Sequence, residues 1–404
     1  MTARVFWVCV AAIAYTYAGY PAILALAARL APRRRDVQAA SPSVTLVIAA
    51  YNEEAVIAEK LENTLALVYP RDRLQILVAA DGSDDRTAEI VHGYADRGVE
   101  LSYEGPRRGK SAAINRAISR AGGEVVVFSD ANNLYEPGAV RELVTPFADP
   151  TVGAVTGAKM IVRGDGALGD SEGLYWRYES FVKAQETRLG CCTGVSGEVL
   201  AIRRDLFEPP PAGVINEDTY MALRLIRRGY RVVYAPKARS YERVSLSARE
   251  EKARRARIFA GRYQQLALAH RVVPLHRPLV FWQVASHQFM RTLLGVAMAG
   301  AAATNALAVL RPARQTSHRW RELAPPVSWL LLAAQAGFYS LAWIGSRTRR
   351  GGTVGRLLYL PTFLVNSNLA GVVGLYRFVR RRQTPIWERA ERRRELGADP
   401  GPRS

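Results

Sequence analysis

The fold of this chain is most constrained by a short apolar run that ends in polar side chains, Val125-Val126-Val127-Phe128-Ser129-Asp130-Ala131-Asn132. Its first four residues are β-branched or aromatic, which is typical of a buried strand. Open α/β sheets place their ligands at the carboxyl ends of such strands. Asp130 and Asn132 offer hard oxygen atoms at a spacing that suits Mg²⁺ or Mn²⁺, although Asp and Asn are also ordinary turn residues.

The segments before this run alternate between strands and helices. Val44–Ala50 and Leu74–Ala80 are nearly continuous apolar runs, as expected for strands that are covered on both faces of a sheet. Asn52 is placed to cap a helix that runs towards Ala66, and residues 109–121 predict another helix. This alternation predicts an α/β fold with a mostly parallel, Rossmann-like sheet and right-handed crossovers.

The second half of the domain is less regular but continues the same fold. Its predicted strands are 152–157, 198–202 and 231–235, and its predicted helices are 171–187 and 217–228.

Long apolar runs at both ends of the chain predict membrane-spanning helices. Residues 5–30 carry no charge before Arg29, and a run of this length can cross a bilayer core of about 30 Å. A signal peptide is the competing interpretation, but Arg33-Arg34-Arg35 follows instead of a small-residue cleavage site. Further spans are predicted at about 292–310, 326–345 and 357–377, with an amphipathic interfacial helix at 279–291.

The formal net charge of +20 allows two classes of partner, nucleic acid or an anionic membrane surface. The arginines flank apolar runs and do not form a compact recognition module, so the membrane is favoured and nucleic acid is not expected. Because both short loops between the late spans carry Arg, the positive-inside rule leaves the number of C-terminal spans open.

The chain has three cysteines, Cys9, Cys191 and Cys192, and this set does not predict a disulfide framework. The domain is therefore expected in a reducing compartment.

Further polar clusters stand at predicted strand ends and helix starts: Tyr51-Asn52-Glu53-Glu54, Asp81-Gly82-Ser83, Arg108-Gly109-Lys110-Ser111 and Asn216-Glu217-Asp218. In this order, and together with Asp130 and Asn132, they resemble the membrane-bound branch of the family 2 glycosyltransferases with the GT-A fold. The resemblance covers roughly residues 42–262. It implies an inverting, metal-dependent transfer of sugar from a nucleotide-sugar donor, with uridine diphosphate as the expected carrier.

Six residues are expected to bind the donor, and four of them lie in the first half of the domain. Tyr51 can stack on a base, and Glu53 and Asp81 can accept hydrogen bonds from base or ribose. Lys110 starts a helix after Gly109, where a cation and free backbone N–H groups favour phosphate. The structural alternatives are a core aromatic for Tyr51, a turn residue for Asp81 and a solvated surface lysine for Lys110.

The resemblance makes Asp218 the general base that takes a proton from the acceptor hydroxyl, with Glu217 beside it. The alternative is that both acids only complement the dipole of the helix that they begin. Asp130 and Asn132 are the expected ligands of Mg²⁺ or Mn²⁺, which would offset charge on the diphosphate. Asn132 stands where the family often has a second Asp, so it brings a neutral oxygen.

Small residues at Gly194, Ser196 and Gly197 resemble the family's acceptor loop, although a plain turn explains them nearly as well. Arg254 and Arg257 align with a motif of the processive enzymes that make cellulose, chitin or hyaluronan, and both are expected at the donor diphosphate. Ile258 stands where that motif has a Trp, so polymerisation and single transfer to a lipid-linked acceptor both stay open.

These expectations give a layout of an N-terminal anchor, a catalytic domain, interfacial helices, about three spans and a basic tail: residues 1–38, 39–262, 263–291, 292–380 and 381–404. The domain is expected on the cytoplasmic side of the inner cell membrane as part of a multi-pass protein. Expected partners are a nucleotide sugar, a glycan or lipid-linked acceptor, membrane lipid and accessory export subunits. The rival from another class is a catalytically silent membrane protein that binds nucleotide sugar.

Overall fold

The computed structural model describes residues 1–31, 41–161, 166–242, 248–312, 318–347 and 352–383. Within these ranges a single sheet of eight strands organises the domain. The strands are β1 (Val44–Ala50), β2 (Leu74–Asp81), β3 (Val99–Glu104), β4 (Val125–Asp130), β5 (Asn133–Tyr135), β6 (Val152–Ile161), β7 (Leu200–Arg203) and β8 (Arg231–Glu242).

The sheet order is β3-β2-β1-β4-β7-β6-β8-β5, and the sheet is mixed. The four strands β3, β2, β1 and β4 are mutually parallel, whereas β7 runs antiparallel to both β4 and β6. The α/β fold predicted from the sequence is confirmed. All seven residues of β1 are buried, which explains why this strand is an unbroken apolar run.

Helices cover both faces of the sheet and continue into the C-terminal region. They are α1 (Thr2–Ala14), α2 (Tyr20–Leu30), α3 (Ile57–Leu65), α4 (Thr87–His92), α5 (Lys110–Ile118), α6 (Ala139–Val144), α7 (Gly166–Leu189), α8 (Glu217–Arg227), α9 (Ala248–Ala267), α10 (Ala269–Val272), α11 (Pro278–Val284), α12 (Arg291–Leu310), α13 (Arg319–Glu322), α14 (Val327–Arg347) and α15 (Gly352–Val379). Short π-helical segments join α1 to α2 (Tyr15–Gly19) and α11 to α12 (Ala285–Met290).

Two hydrophobic cores lie on opposite faces of the sheet, and successive strand residues alternate between them. Leu46 and Ile48 of β1 face the core that contains α3, whereas Val47 faces the core that contains α5 and α8. A period of two is the geometry of a pleated strand, so the run of apolar residues in β1 supplies both cores at once.

The carboxyl ends of β1, β2 and β4 coincide. Ala50 pairs with Ala80 of β2, and Ala49 pairs with Asp130 of β4. The polar segments that follow these strands therefore emerge at one edge of the sheet, as the strand pattern predicted.

The predicted helix start at Asn52 is wrong, because the helix begins at Ile57. Asn52 instead adopts a left-handed backbone conformation with φ of 52°, which Asn tolerates better than most residues. Its side chain exchanges hydrogen bonds with Asp84, accepting one from the Asp84 N–H at 3.0 Å. The Asn52 side chain is therefore hydrogen-bonded to the loop after β2 and does not cap a helix of its own segment.

Three helical stretches among the described residues are long and apolar enough to cross a membrane: Thr2–Leu30, Pro278–Leu310 and Val327–Arg347. The helix is continuous through residue 291, where a junction between interfacial helix and span was expected. The interfacial position of 279–291 stays a prediction. The predicted span at 357–377 lies inside α15, which packs on α9 and α14. Arg33-Arg34-Arg35 and the tail after residue 383 lie outside the described residues.

Candidate functional site

The loops after β1 and β2 are joined by hydrogen bonds between backbone and side chains. The Asn52 N–H donates to Ser83 Oγ at 3.1 Å, and the Glu53 N–H donates to Thr87 Oγ1 at 2.8 Å. Glu53 is almost fully buried. The two loops therefore form one rigid unit, and this unit places Tyr51 at the edge of the sheet.

Asp81 organises the segment that leads into α5. Its carboxylate accepts hydrogen bonds from the backbone N–H groups of Arg108, at 2.8 Å, and Gly109, at 2.9 Å. Gly82 is required here because its φ is +63° and a methyl group would lie 2.5 Å from the Arg107 nitrogen. Asp81 thus holds the turn that begins α5 and that aims Lys110.

Arg107 is a member of this site that the sequence did not reveal. Its guanidinium lies 3.6 Å from the centre of the Tyr51 ring, and its Nε lies 3.7 Å from Asp81 Oδ2. The basic run Arg107-Arg108-Gly109-Lys110 is the sequence feature that could have indicated this role. The structure is needed to show that Arg107 covers the face of the Tyr51 ring.

Lys110 joins the acids from two distant segments. Its Nζ lies 2.5 Å from Asp130 Oδ1 and 4.0 Å from Glu217 Oε1. Burial alone would lower the pKa of Lys110, but the charges of Asp130, Glu217 and Asp218 outweigh it and raise that pKa above its ordinary value. The lysine is therefore a permanent cation at the carboxyl edge of the sheet.

Glu217 and Asp218 begin α8, and both side chains are partly buried. Burial raises the pKa of Glu217, and the nearby Asp218 adds to the rise while Lys110 opposes it. Burial also raises the pKa of Asp218, against the hydrogen bond that the Thr219 N–H donates to its Oδ1 at 2.7 Å. An acid with a raised pKa is suited to accept a proton near neutral pH.

The predicted acceptor loop lies directly against Asp218. A methyl group at Gly197 would be 2.9 Å from Asp218 Oδ2, so only glycine allows this approach. Ser196 Oγ accepts a hydrogen bond from Lys183 at 3.0 Å, and a methyl group at Gly194 would be 3.0 Å from the His287 ring. The structure therefore brings this loop to the acids and also to the helix that contains His287.

One of the two predicted metal ligands has an oxygen without a hydrogen-bond partner among the described residues. This oxygen, Asn132 Oδ1, is buried. An unsatisfied buried oxygen costs free energy unless a ligand completes it. Within the described part of the chain, no group of three or more His, Cys, Asp or Glu could hold a metal. Asp130 and Asn132 thus fit an ion whose other ligands come from a bound diphosphate.

The arginines of α9 divide between two environments. Arg257 Nη1 donates to the Ile215 carbonyl at 3.4 Å, immediately before the acids of α8. Arg254 donates to Glu251 of its own helix at 3.0 Å. Gly261 allows α9 to approach this close, since a methyl group there would lie 2.5 Å from the Asn216 side chain. Arg257 is therefore part of the acidic site, and Arg254 is one helical turn away.

Two tryptophans, Trp176 and Trp282, could stack on sugars by their chemistry, but they have different surroundings. Trp282 donates to Tyr15 Oη at 2.8 Å and packs against Tyr20, so it is a packing residue. Trp176 lies near Lys159 and Lys183, whose Nζ atoms are 5.4 and 5.7 Å from its ring centre.

Comparisons with known proteins agree with this architecture. A family model described as "Glycosyltransferase like family 2" matches residues 42–267. The probable glycosyltransferase YdaM of Bacillus subtilis is 28% identical over 233 residues, which are 52% of this chain and 53% of that protein. The poly-β-1,6-N-acetyl-D-glucosamine synthase of Staphylococcus aureus is 30% identical over 204 residues, 48% of each chain. The chain spans about half the length of these curated relatives.

A solved structure shares the fold over nearly the whole chain. It is the mannosyltransferase PcManGT from Pyrobaculum calidifontis in complex with GDP-Man and Mn²⁺. The TM-score is 0.69 at 23% identity, and the match covers 94% of this chain and 99% of that one.

Proposed function

Since the chain belongs to the family 2 glycosyltransferases and has their GT-A fold, we propose that it is an inverting, metal-dependent enzyme that transfers sugar from a nucleotide-sugar donor. One observation carries this proposal. Lys110 is in contact with Asp130 at 2.5 Å and reaches Glu217 at 4.0 Å, with Asp218 next in the chain. Lys110 as the cation that binds diphosphate, Asp130 and Asn132 as the metal ligands and Asp218 as the base would thus lie at one edge of the sheet.

Each residue then has a distinct task. Lys110 and Arg257 would bind the diphosphate, and Asp130 and Asn132 would hold a divalent cation, which supplies positive charge against it. Asp218 would take the proton of the acceptor hydroxyl as that oxygen forms a bond to the anomeric carbon. The bond from that carbon to the diphosphate breaks at the same time, and its electron pair leaves with the nucleoside diphosphate. Attack opposite the leaving group inverts the configuration.

The position of the enzyme follows from its apolar helices. Three described helices could cross a membrane, and the acceptor loop abuts one of them at His287. The proposal therefore places a multi-pass protein in the inner cell membrane, with the domain on the cytoplasmic side. A glycan or lipid-linked acceptor would reach the loop beside the membrane, and accessory export subunits would be partners only if a polymer is made.

Single transfer to a lipid-linked acceptor is the second candidate. Ile258 occupies the position at which processive relatives have a Trp that stacks on the growing chain. Without that platform, a long polymer has less to hold it between transfers. The poly-β-1,6-N-acetyl-D-glucosamine synthase among the similar proteins keeps polymerisation as the alternative.

The decisive experiment incubates membranes that contain the full chain with labelled UDP-glucose, UDP-N-acetylglucosamine and GDP-mannose, with Mn²⁺ or Mg²⁺. Product size separates single transfer from polymerisation. Asp218→Asn should abolish product, and Asp205→Asn, an exposed acid in the same domain, should not. If no donor is consumed, or if Asp218→Asn matches the wild type, the proposal is wrong.

A further inference from the structure

Lys60 of α3 is completely buried behind the loop that carries the two predicted metal ligands. Its Nζ donates hydrogen bonds to Ser129 Oγ at 2.7 Å, to the Asn133 carbonyl at 2.8 Å and to Asn133 Oδ1 at 3.3 Å. Ser129 immediately precedes Asp130, and Asn133 immediately follows Asn132. The Lys60 side chain is therefore hydrogen-bonded to this loop on both sides of Asp130 and Asn132.

The hydrogen-bond network around Lys60 continues through Asn133 into other strands of the sheet. The Ser129 hydroxyl lies 3.0 Å from Asn133 Oδ1, and Asn133 Nδ2 donates to the Glu198 carbonyl at 3.0 Å and to Ser240 Oγ at 2.6 Å. These bonds join α3, β4, β5 and β8 to the segment beside the acceptor loop. Because every member has partners, the network has one arrangement and can fix a loop.

A lysine is a costly residue to bury at this position. Burial lowers the pKa of Lys60 to about 7, with the charge of Asp130 opposing the shift. The hydrogen-bond acceptors around Nζ are neutral oxygens, and no carboxylate contacts it among the described residues. An apolar side chain of similar length would pack at lower cost. Its three directed N–H bonds are what a methionine could not supply.

We propose that Lys60 is a positioning residue of the metal site, which fixes residues 129–133 so that Asp130 and Asn132 face the donor diphosphate. Lys60 does not touch the cation. It acts through Ser129 and Asn133, and this inference rests on the proposed function for the identity of the site. Residues that orient metal ligands typically change metal affinity when they are replaced.

The experiment measures Mn²⁺ binding to the detergent-solubilised full chain by electron paramagnetic resonance of the free ion, with UDP or GDP present. In Lys60→Met, the Mn²⁺ dissociation constant should rise about tenfold. Nucleotide binding in excess EDTA should stay within about twofold, since Lys110 is untouched. Lys60→Gln, which keeps a hydrogen-bond donor, should give an intermediate constant and provides a second variant if Lys60→Met does not fold.

Leu61→Val is the matched control for a merely structural effect. Leu61 is the next residue of α3 and is equally buried, but it has no hydrogen bond to the loop. It should lower the unfolding temperature without changing the Mn²⁺ constant. An unchanged constant in folded Lys60→Met and Lys60→Gln, an equal rise in Leu61→Val, or no Mn²⁺ binding by the wild type would each overturn the inference. A wild type that binds Mn²⁺ and nucleotide but transfers no sugar would instead refute the proposed function alone.

Discussion

At the scale of single residues, the proposed chemistry depends on partly buried acids at one edge of the sheet. The sequence predicted Asp218, Asp130 and Asp81 because each ends a strand or starts a helix. It could not predict Lys60 or Arg107, since a lysine or arginine in a sequence is ordinarily a solvated surface residue. Burial of Lys60 and the stacking of Arg107 on Tyr51 depend on segments far away in the chain.

The burial of Asp218 should cost stability at neutral pH. Because its folded-state pKa is raised, the protonated form is favoured, and its contribution to stability is lost as the pH rises through that pKa. We expect Asp218→Asn to raise the unfolding temperature at pH 7, while the gain over wild type shrinks towards pH 4. Thermal unfolding of the purified variant tests this, and a lower unfolding temperature at pH 7 would contradict it.

The same raised pKa predicts the pH dependence of catalysis. A base works only when deprotonated, so kcat/KM should fall on the acidic side at a pH above the ordinary pKa of 3.8 for Asp. Initial rates between pH 4 and pH 8 at constant ionic strength measure this limb. A rate that stays flat down to pH 4 would show that Asp218 is not the group that titrates.

Substitution of Gly197 should impair catalysis, because this glycine lies against Asp218. A methyl group there would lie 2.9 Å from Asp218 Oδ2, so Gly197→Ala should displace the carboxylate and lower kcat at least tenfold with little loss of stability. Gly138→Ala is the control, because a methyl group at Gly138 has nothing within 4 Å and its φ is −89°. Equal activity of the two variants would disprove the close approach.

At the scale of elements, the strands were more predictable than the helix starts. An unbroken apolar run predicts a buried strand, and β1, β2 and β4 lie where such runs occur. The start of α3 was missed because Asn52 bonds to Asp84 rather than to its own helix, and no local pattern contains that information. The antiparallel placement of β7 between β4 and β6 likewise depends on long-range pairing.

The docking of α9 on the start of α8 should depend on Gly261. Gly261→Ala would place a methyl group 2.5 Å from the Asn216 side chain, which donates to the Ile258 carbonyl at 2.9 Å. We expect a loss of about 1–3 kcal/mol in unfolding free energy from overpacking, and weaker donor binding because Arg257 moves. Gly337→Ala, in α14 with open space around it, should be neutral or slightly stabilising. Similar behaviour of both variants in unfolding and donor titration would refute this role.

At the scale of the whole molecule, buried polar contacts tie the N-terminal helix and the helix Pro278–Leu310 to the domain. Tyr20 Oη donates to Glu186 Oε1 at 2.5 Å, and His287 Nδ1 lies 3.0 Å from the same oxygen. Arg291 pairs with Glu179, and Thr193 of the loop before Gly194 also bonds Glu186. The sequence showed these helices only as apolar runs, because hydropathy carries no information about which polar side chains meet.

If the site has the proposed function, the ion pair between Lys110 and Asp130 should govern the order in which metal and nucleotide bind. A lone Mn²⁺ ion that bound Asp130 would break its ion pair with Lys110 and leave the lysine only Glu217, at 4.0 Å. A diphosphate that bound together with the ion would supply Lys110 with new oxygen partners. Calorimetry should show weak Mn²⁺ binding without UDP and at least tenfold tighter binding with it. In Lys110→Met the lone ion should bind more tightly than in wild type, and unchanged binding would contradict this. We therefore expect the free protein to bind a solitary ion weakly and to take up metal and nucleotide together.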